Sequence, residues 1–508
     1  MNRAPLALLA VALLFAACDR ASPEPPRPDH ILLVSMDTVR ADRVRDETAP
    51  TLREIAADGV RFSRFYAASS YTIPSHMSIF TGLDPAAHDV HRQQSALAPE
   101  IATLAQTLAA AGYRTQAFHE GGYVEARFGF ARGFEDYRRE PRVAVVREAL
   151  PEVLAWIRAH AHERWFLFLH TYAAHAPYGG YARYREQAPE RGLLSERELA
   201  SLRRRFPLTE AGVGATVDGL DANTRAECTL YNQLADRQGT LLLGCGGFQP
   251  EPEFADSPFF DADLVALRRS YDARIALVDR ALGALRATLE DLGLWEDTLL
   301  VVTSDHGEAF YEHGLYQHGW VPFDEVLRVP LVISYPRLLA GGAVREVPGL
   351  AWHLDLMPTL LALAGVAPAQ PLPGMDLSAV IRGETRIPAE RGIQPLVMRE
   401  AHREPRPPRR VVLRGPLKYV QGHAEFGDGG GLLFDLAVDP GERDNLRARR
   451  SAVSAEFARL AAEYEAGLTR HPAIDQETGA RLAPDAADRD VELSDEERER
   501  LRGLGYLR

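Results

Sequence analysis

Apolar positions follow two patterns along the chain. Continuous runs at residues 30–35, 165–169, 298–303 and 330–334 show no polar alternation. Such runs predict strands buried on both faces of a mainly parallel sheet. A shorter strand is expected over residues 113–118. Helical spacing marks residues 51–58, 101–111 and 264–292, each followed closely by a glycine (Gly59, Gly112, Gly293) of the kind that ends helices. Strands alternating with helices predict the layers of an α/β fold. Polar residues stand just past several predicted strand ends, at Asp37, at His170 and at Ser304-Asp305-His306-Gly307. Open α/β sheets place ligands there. After about residue 370 the pattern changes to a Pro-rich stretch (403–408), short strands (411–413, 418–420) and a helix (452–468). These predict a smaller C-terminal α+β unit. Residues 183–260 are rich in Arg, Glu and Gly and read as an insertion of helices and loops, a candidate lid over the site. The expected organisation is an export signal (1–17), a Pro-rich tether (18–29), a catalytic domain (30–370, with the insertion) and a C-terminal subdomain (371–508).

The N-terminus belongs to targeting rather than to the fold. Met1-Asn2-Arg3 is basic, Leu6 to Phe15 is apolar, and Ala16-Ala17-Cys18 follows. The apolar run is far shorter than the ~20 residues of a membrane-spanning helix, and the pattern is that of an export signal. Leu14-Phe15-Ala16-Ala17-Cys18 resembles a bacterial lipobox, which implies cleavage before Cys18, a lipid on it, and a protein held at the membrane of the cell envelope or periplasm. Of the 3 cysteines, Cys228 and Cys245 remain, and either a local disulfide or a free buried pair fits them. The net charge of −13 argues against nucleic acid as a partner but not against small anions, because a metal can supply local positive charge.

Four stretches carry candidate chemistry. Asp37 ends a buried strand, and a carboxylate there needs a cation. In Tyr71-Thr72-Ile73-Pro74-Ser75-His76 a hydroxyl stands at a proline turn entering an apolar helix, whose N-terminus favours anions. Asp305-His306 follow a strand and can chelate one metal; Glu312-His313 and Gln317-His318 come soon after. His170 and His175 bracket the end of another strand. The plainer readings are a helix cap for Thr72, a partner such as Arg40 for Asp37, a core position for His170, a loop contact for His313, loop support for Glu308, and caps or turns for Asp355 and Asp435.

Taken in order along the chain, these motifs resemble the sulfatase family of the alkaline phosphatase superfamily. Arg328-Val329-Pro330, residues 355–361, residues 434–446 and the terminal residues 501–507 extend the resemblance. It implies a three-layer alkaline-phosphatase-like domain, an ester hydrolase activity and one divalent metal. The departures matter. The family carries Cys or Ser where this chain has Thr72, and oxidises it to formylglycine. Threonine cannot give that aldehyde, because its β-carbon bears a methyl group. The family's Arg after Pro-Ser is His76, its second Asp is Thr38, its Asp-Pro is Ala173-Ala174, and its Lys-x-His is missing around His119-Glu120-Gly121-Gly122. Other branches of the superfamily use Thr or Ser as the nucleophile beside a metal. The resemblance therefore implies Thr72 as nucleophile, Asp37, Thr72, Asp305 and His306 as ligands of Ca, Mn, Mg or Zn, and His175 and His318 beside the transferred group, with His76 as a further catalytic position. The expected substrates are small anionic esters or sulfated or phosphorylated glycans or lipids, with monoanions favoured. The alternatives are a transferase to a non-water acceptor and an inactive metal-binding relative.

Overall fold

The computed structural model describes residues 25–141, 144–176, 178, 259–310, 312–313, 316–319, 321–340, 346–397, 408–422, 429–483 and 498. Cys18, Cys228, Cys245, almost all of the insertion and the terminal motif at 501–507 lie outside them. Among the described residues no helix is long and apolar enough to cross a membrane.

The main sheet contains β1 (His30–Met36), β2 (Val60–Phe62), β3 (Arg114–His119), β4 (Asp136–Arg139), β5 (Trp165–Thr171), β6 (Thr298–Thr303), β7 (Leu331–Ser334) and β8 (Glu346–Val347), in the order β8-β2-β7-β6-β1-β5-β3-β4. The run from β6 to β4 is parallel. β7 is antiparallel to both β6 and β2. The sheet is thus mixed, with β7 running against both of its neighbours.

Every residue of β1 is buried, and its side chains alternate between two apolar layers. Ile31 and Leu33 face one cluster with Phe166, Phe168, Leu299 and Val301. Leu32 and Val34 face the other with Leu167, Leu169, Leu300 and Val302. This period of two on a strand without polar positions is why the sequence run carries no alternation. The first layer is covered by α2 (Thr72–Thr81), α3 (Leu104–Ala110) and α6 (Leu356–Ala364), through Met77, Phe80, Leu104, Leu108, Leu360 and Leu361. The second is covered by α1 (Pro50–Asp58), α4 (Leu150–Ala159) and α5 (Phe259–Asp291), through Leu52, Ile55, Val153, Ile157, Ile275 and Leu282.

Two local details differ from the sequence reading. α3 starts at Leu104, not at residue 101, because Thr103 and Gln106 form a reciprocal cap there. Gly59 does not close α1 in a left-handed conformation, since its φ is −106°. It is required because a Cβ would lie 2.6 Å from the Ile333 carbonyl oxygen of β7.

A second sheet follows, built from β9 (Gly392–Ile393), β10 (Leu396–Val397), β11 (Arg409–Arg414), β12 (Leu417–Val420) and β13 (Leu432–Asp435). Its order is β9-β11-β12-β13, with β10 also on β11. α7 (Ser451–Gly467) covers it through Phe457 and Ala461. Buried charge ties this sheet to the main body. Arg410 reaches Asp84 at 2.8 Å and also Glu465, and Lys418 Nζ lies 2.8 Å from both Asp324 and Glu442.

Candidate active site

The register of the central strands builds the site. Ser35 pairs with His170 on one side and with Thr303 on the other, so Asp37, the end of β5 and Ser304-Asp305-His306 emerge side by side. Asp37, Asp305 and His306 are fully buried. Thr38 takes a left-handed φ of 62°. Its N–H donates to Asp305 Oδ1 at 3.2 Å, and its hydroxyl donates to the Ala174 carbonyl at 2.9 Å. Where the family has a second carboxylate, this threonine laces three strand ends together. Arg40 is committed to Asp42 and Glu312 and is not the partner of Asp37.

His306 has a defined tautomer. Its Nδ1 lies 2.9 Å from the Gly307 carbonyl oxygen, which only accepts, so Nδ1 carries the proton and Nε2 presents its lone pair. Burial pushes the imidazolium down to about 4, so the ring is neutral at pH 7. Gly307 cannot be another residue, since a Cβ would stand 2.1 Å from the Glu325 carbonyl oxygen. His306 Nε2 is 3.2 Å from the Thr72 hydroxyl and 3.3 Å from Asp305 Oδ2.

Thr72 is the first residue of α2, a helix buried along its whole length. The N-cap is Tyr71, which makes no side-chain cap bond, so Thr72 does not serve as the cap. Its hydroxyl points across the helix mouth to His306. One turn on, His76 Nδ1 lies 3.1 Å from the Thr72 carbonyl oxygen and 3.4 Å from Asp305 Oδ2, while Nε2 is 2.9 Å from the Ser35 hydroxyl. Burial depresses its pKa, so His76 is not a fixed cation standing in for arginine. His175 and His318 stack edge to face at 5.1 Å, and His318 lies 4.3 Å from the His306 ring. Glu308 Oε1 is 2.9 Å from His318 Nδ1, and its other oxygen accepts the Tyr178 hydroxyl at 3.1 Å.

His170, for which the plainer sequence reading is a core position, faces the site. It is fully buried, its Nε2 lies 3.5 Å from Asp37 Oδ2, and its ring is 5.0 Å from that of His76. The available signal was positional: a strand-end histidine in a strand parallel to the one that ends at Asp37. His313 stays outside, 2.7 Å from Glu325 and stacked on Phe323. Asp355 pairs with Arg391 and accepts the Trp352 and Met375 N–H groups, which makes it structural. Asp435 accepts the Ala437 N–H in a turn. Glu120, in the stretch that lacks Lys-x-His, accepts the Thr171 hydroxyl and the Tyr172 N–H and fixes the end of β5.

The donor set fits a metal ion. Asp37, Asp305 and His306 bring one ligand atom each within 4.8 Å of one another, and so do Asp37, His76 and His170. Asp37 Oδ1 and Asp305 Oδ2 have no hydrogen-bond partner. Burial and the neighbouring Asp305 carboxylate push the Asp37 pKa well up. Burial pushes Asp305 the same way, but His306, His76 and His170 more than offset it and hold it low. Two buried carboxylates with orphaned oxygens beside neutral imidazoles are costly without a cation between them.

The sulfatase family profile matches residues 29–366, more than half of the chain. The chain belongs to the sulfatase family. It is therefore related to ester hydrolases whose sites hold a divalent metal. Human arylsulfatase A is 25% identical over 504 residues, covering 88% of this chain and 90% of that enzyme. An N-acetylglucosamine-6-O-sulfatase of Bacteroides thetaiotaomicron is 33% identical, but over 24% of this chain and 21% of that protein. Among solved structures, the phosphonate monoester hydrolase of Agrobacterium radiobacter superposes with a TM-score of 0.62 at 21% identity, covering 87% of this chain and 96% of that one. A structure in complex with D-glucosamine-2-N,6-O-disulfate superposes at 0.67 and 17% identity, covering 89% and 100%. At these identities the structural likeness establishes the alkaline-phosphatase-like fold.

Proposed function

We propose that this sulfatase-family protein hydrolyses sulfate, phosphodiester or phosphonate monoesters, with Thr72 as the nucleophile. The observation that carries this reading is the Thr72 hydroxyl at the mouth of α2, 3.2 Å from the lone-pair nitrogen of His306 and beside two carboxylates with unpaired oxygens. Asp37, Asp305, His306 and the Thr72 oxygen would hold one divalent ion (Ca, Mn, Mg or Zn), which when bound polarises the ester and favours the alkoxide. Thr72 lacks the chemistry for formylglycine, so the attacking oxygen is its own hydroxyl. Attack by the Thr72 oxygen, whose proton leaves to solvent, breaks the bond from sulfur or phosphorus to the leaving alcohol, whose oxygen takes a proton from the imidazolium of His318 or His175. The same imidazole, now neutral, then takes a proton from the water that cleaves the Thr72 ester, and the freed Thr72 oxygen regains its proton from solvent. Neutral His76 in place of an arginine weakens the pull on a dianion, which supports monoanionic esters. The substrates named for two of the compared proteins support a sulfated glycan as the class. The signal pattern ending at Cys18 supports export and a lipid anchor at the membrane.

The test is a hydrolysis panel on the full chain with aryl sulfate, phosphate monoester, phosphodiester and phosphonate monoester, each with several divalent metals. Thr72→Ala should lose roughly 10³-fold or more of the metal-dependent rate, while Thr72→Ser keeps a measurable part. Activity that survives Thr72→Ala would remove Thr72 from the reaction and leave water as the nucleophile. Silence on all four esters, with metal-dependent melting, would instead favour a binding protein.

A further inference from the structure

We propose that Asp37, His76 and His170 form a second metal site, nitrogen-rich and suited to a divalent ion of the zinc class, which shares Asp37 with the oxygen-rich set of Asp305, His306 and Thr72. Three observations converge on it. The ligand atoms of the three residues lie within 4.8 Å of one another, and all three side chains are fully buried. His170 turns Nε2 to Asp37 Oδ2 at 3.5 Å, while Asp37 Oδ1 has no hydrogen-bond partner, and a buried polar atom left unmade costs about 1–3 kcal/mol unless something binds it. His76 donates from Nδ1 to the Thr72 carbonyl oxygen, so Nε2 presents a lone pair, on which the Ser35 hydroxyl now rests at 2.9 Å.

Chemistry separates the two sets. Imidazole donors suit zinc, copper or iron better than magnesium or calcium, which prefer carboxylate and carbonyl oxygens. Asp37 has an oxygen for each set. Charge points the same way. Arg40, three residues after Asp37, is spent on Asp42 and Glu312, and His76 stands where the family has an arginine. One divalent ion would only balance Asp37 and Asp305. A second would leave the site positive, as binding of an anionic ester requires, and two-metal clamps are a known solution for transferring groups of this kind.

The inference goes beyond the reading of Thr72 as nucleophile and rests on the first metal set only for its total count. The test is metal content of the full chain, stripped with chelator and dialysed against zinc, read by mass spectrometry. Two zinc ions per chain are expected in the wild type, and one in each of His170→Gln, His76→Gln and His306→Gln. One ion in the wild type overturns the proposal, whether His170→Gln retains that ion or loses it. Two ions that persist in His306→Gln would instead count against the first set. Should the variants fail to fold, the Co²⁺-loaded wild type decides: an exchange-coupled pair in its electron paramagnetic resonance spectrum supports the second site, and an isolated-ion spectrum overturns it.

Discussion

Single side chains set the chemistry of this site, and Glu308 shows how far one of them reaches. It is fully buried, with one oxygen on His318 Nδ1 and the other under the Tyr178 hydroxyl. The carboxylate accepts a hydrogen bond from Nδ1–H of His318 and fixes which ring nitrogen faces the other histidines. Glu308 is a positioning residue, so Glu308→Gln should lower kcat by roughly 10–100-fold with KM little changed, and Tyr178→Phe should lower it less. A melting temperature that falls without a change in kcat would show that Glu308 only supports the fold. The same scale shows what a sequence can and cannot reveal. Asp37, Thr72, Asp305 and His306 were legible because each follows a strand or opens a helix in a spaced motif. His170 was not, because a histidine at a strand end looks the same whether it packs in the core or faces a carboxylate. The register that pairs Ser35 with His170 brings its ring to within 3.5 Å of Asp37.

Between elements, β1, β5, β6 and β7 were legible because they are uninterrupted apolar runs, and a run of that kind has few other places to go, whereas β2, β4 and β8, short or polar, were not. The direction of β7 was not, since no residue in it differs from those of a parallel strand. The contacts that join the two sheets were also invisible, because they pair residues far apart in the chain. Arg410 on β11 and Asp84, which follows α2 and caps the turn after it, are 326 residues apart yet 2.8 Å from each other. Both are fully buried, and the Tyr464 hydroxyl also reaches Asp84 at 3.1 Å. Removing one partner of such a pair strands a charge, whereas removing both costs less. Arg410→Met should therefore destabilise the protein by about 3–5 kcal/mol. The double variant Arg410→Met with Asp84→Asn should recover part of that loss in denaturant titration. Equal stability of the wild type and Arg410→Met would mean that the apolar contacts of the second sheet suffice to hold it against α2.

For the molecule as a whole, the cost of the site falls on the fold. Asp37 and Asp305 sit side by side at the end of the central strands, fully buried, and burial together with the Asp305 charge drives the Asp37 pKa up. A carboxyl whose folded pKa lies above its unfolded value costs the native state stability as pH climbs from the unfolded value towards the folded one, so above the ordinary carboxylate range the metal-free protein bears this conflict. A divalent ion that binds only the native state reverses it, by about 2.7 kcal/mol at a hundredfold excess over Kd. Chelation should then lower Tm by roughly 5 °C at pH 7.5, taking about 2–4 °C per kcal/mol for a domain of a few hundred residues at most. Asp37→Asn removes one of the two charges. It should raise the Tm of the chelated protein while abolishing the response to added metal, so that the curves with and without metal coincide. A chelated wild type that melts with the loaded one, or an Asp37→Asn variant that still gains from metal, would show that the strand-end carboxylates are not where the fold and the ion meet.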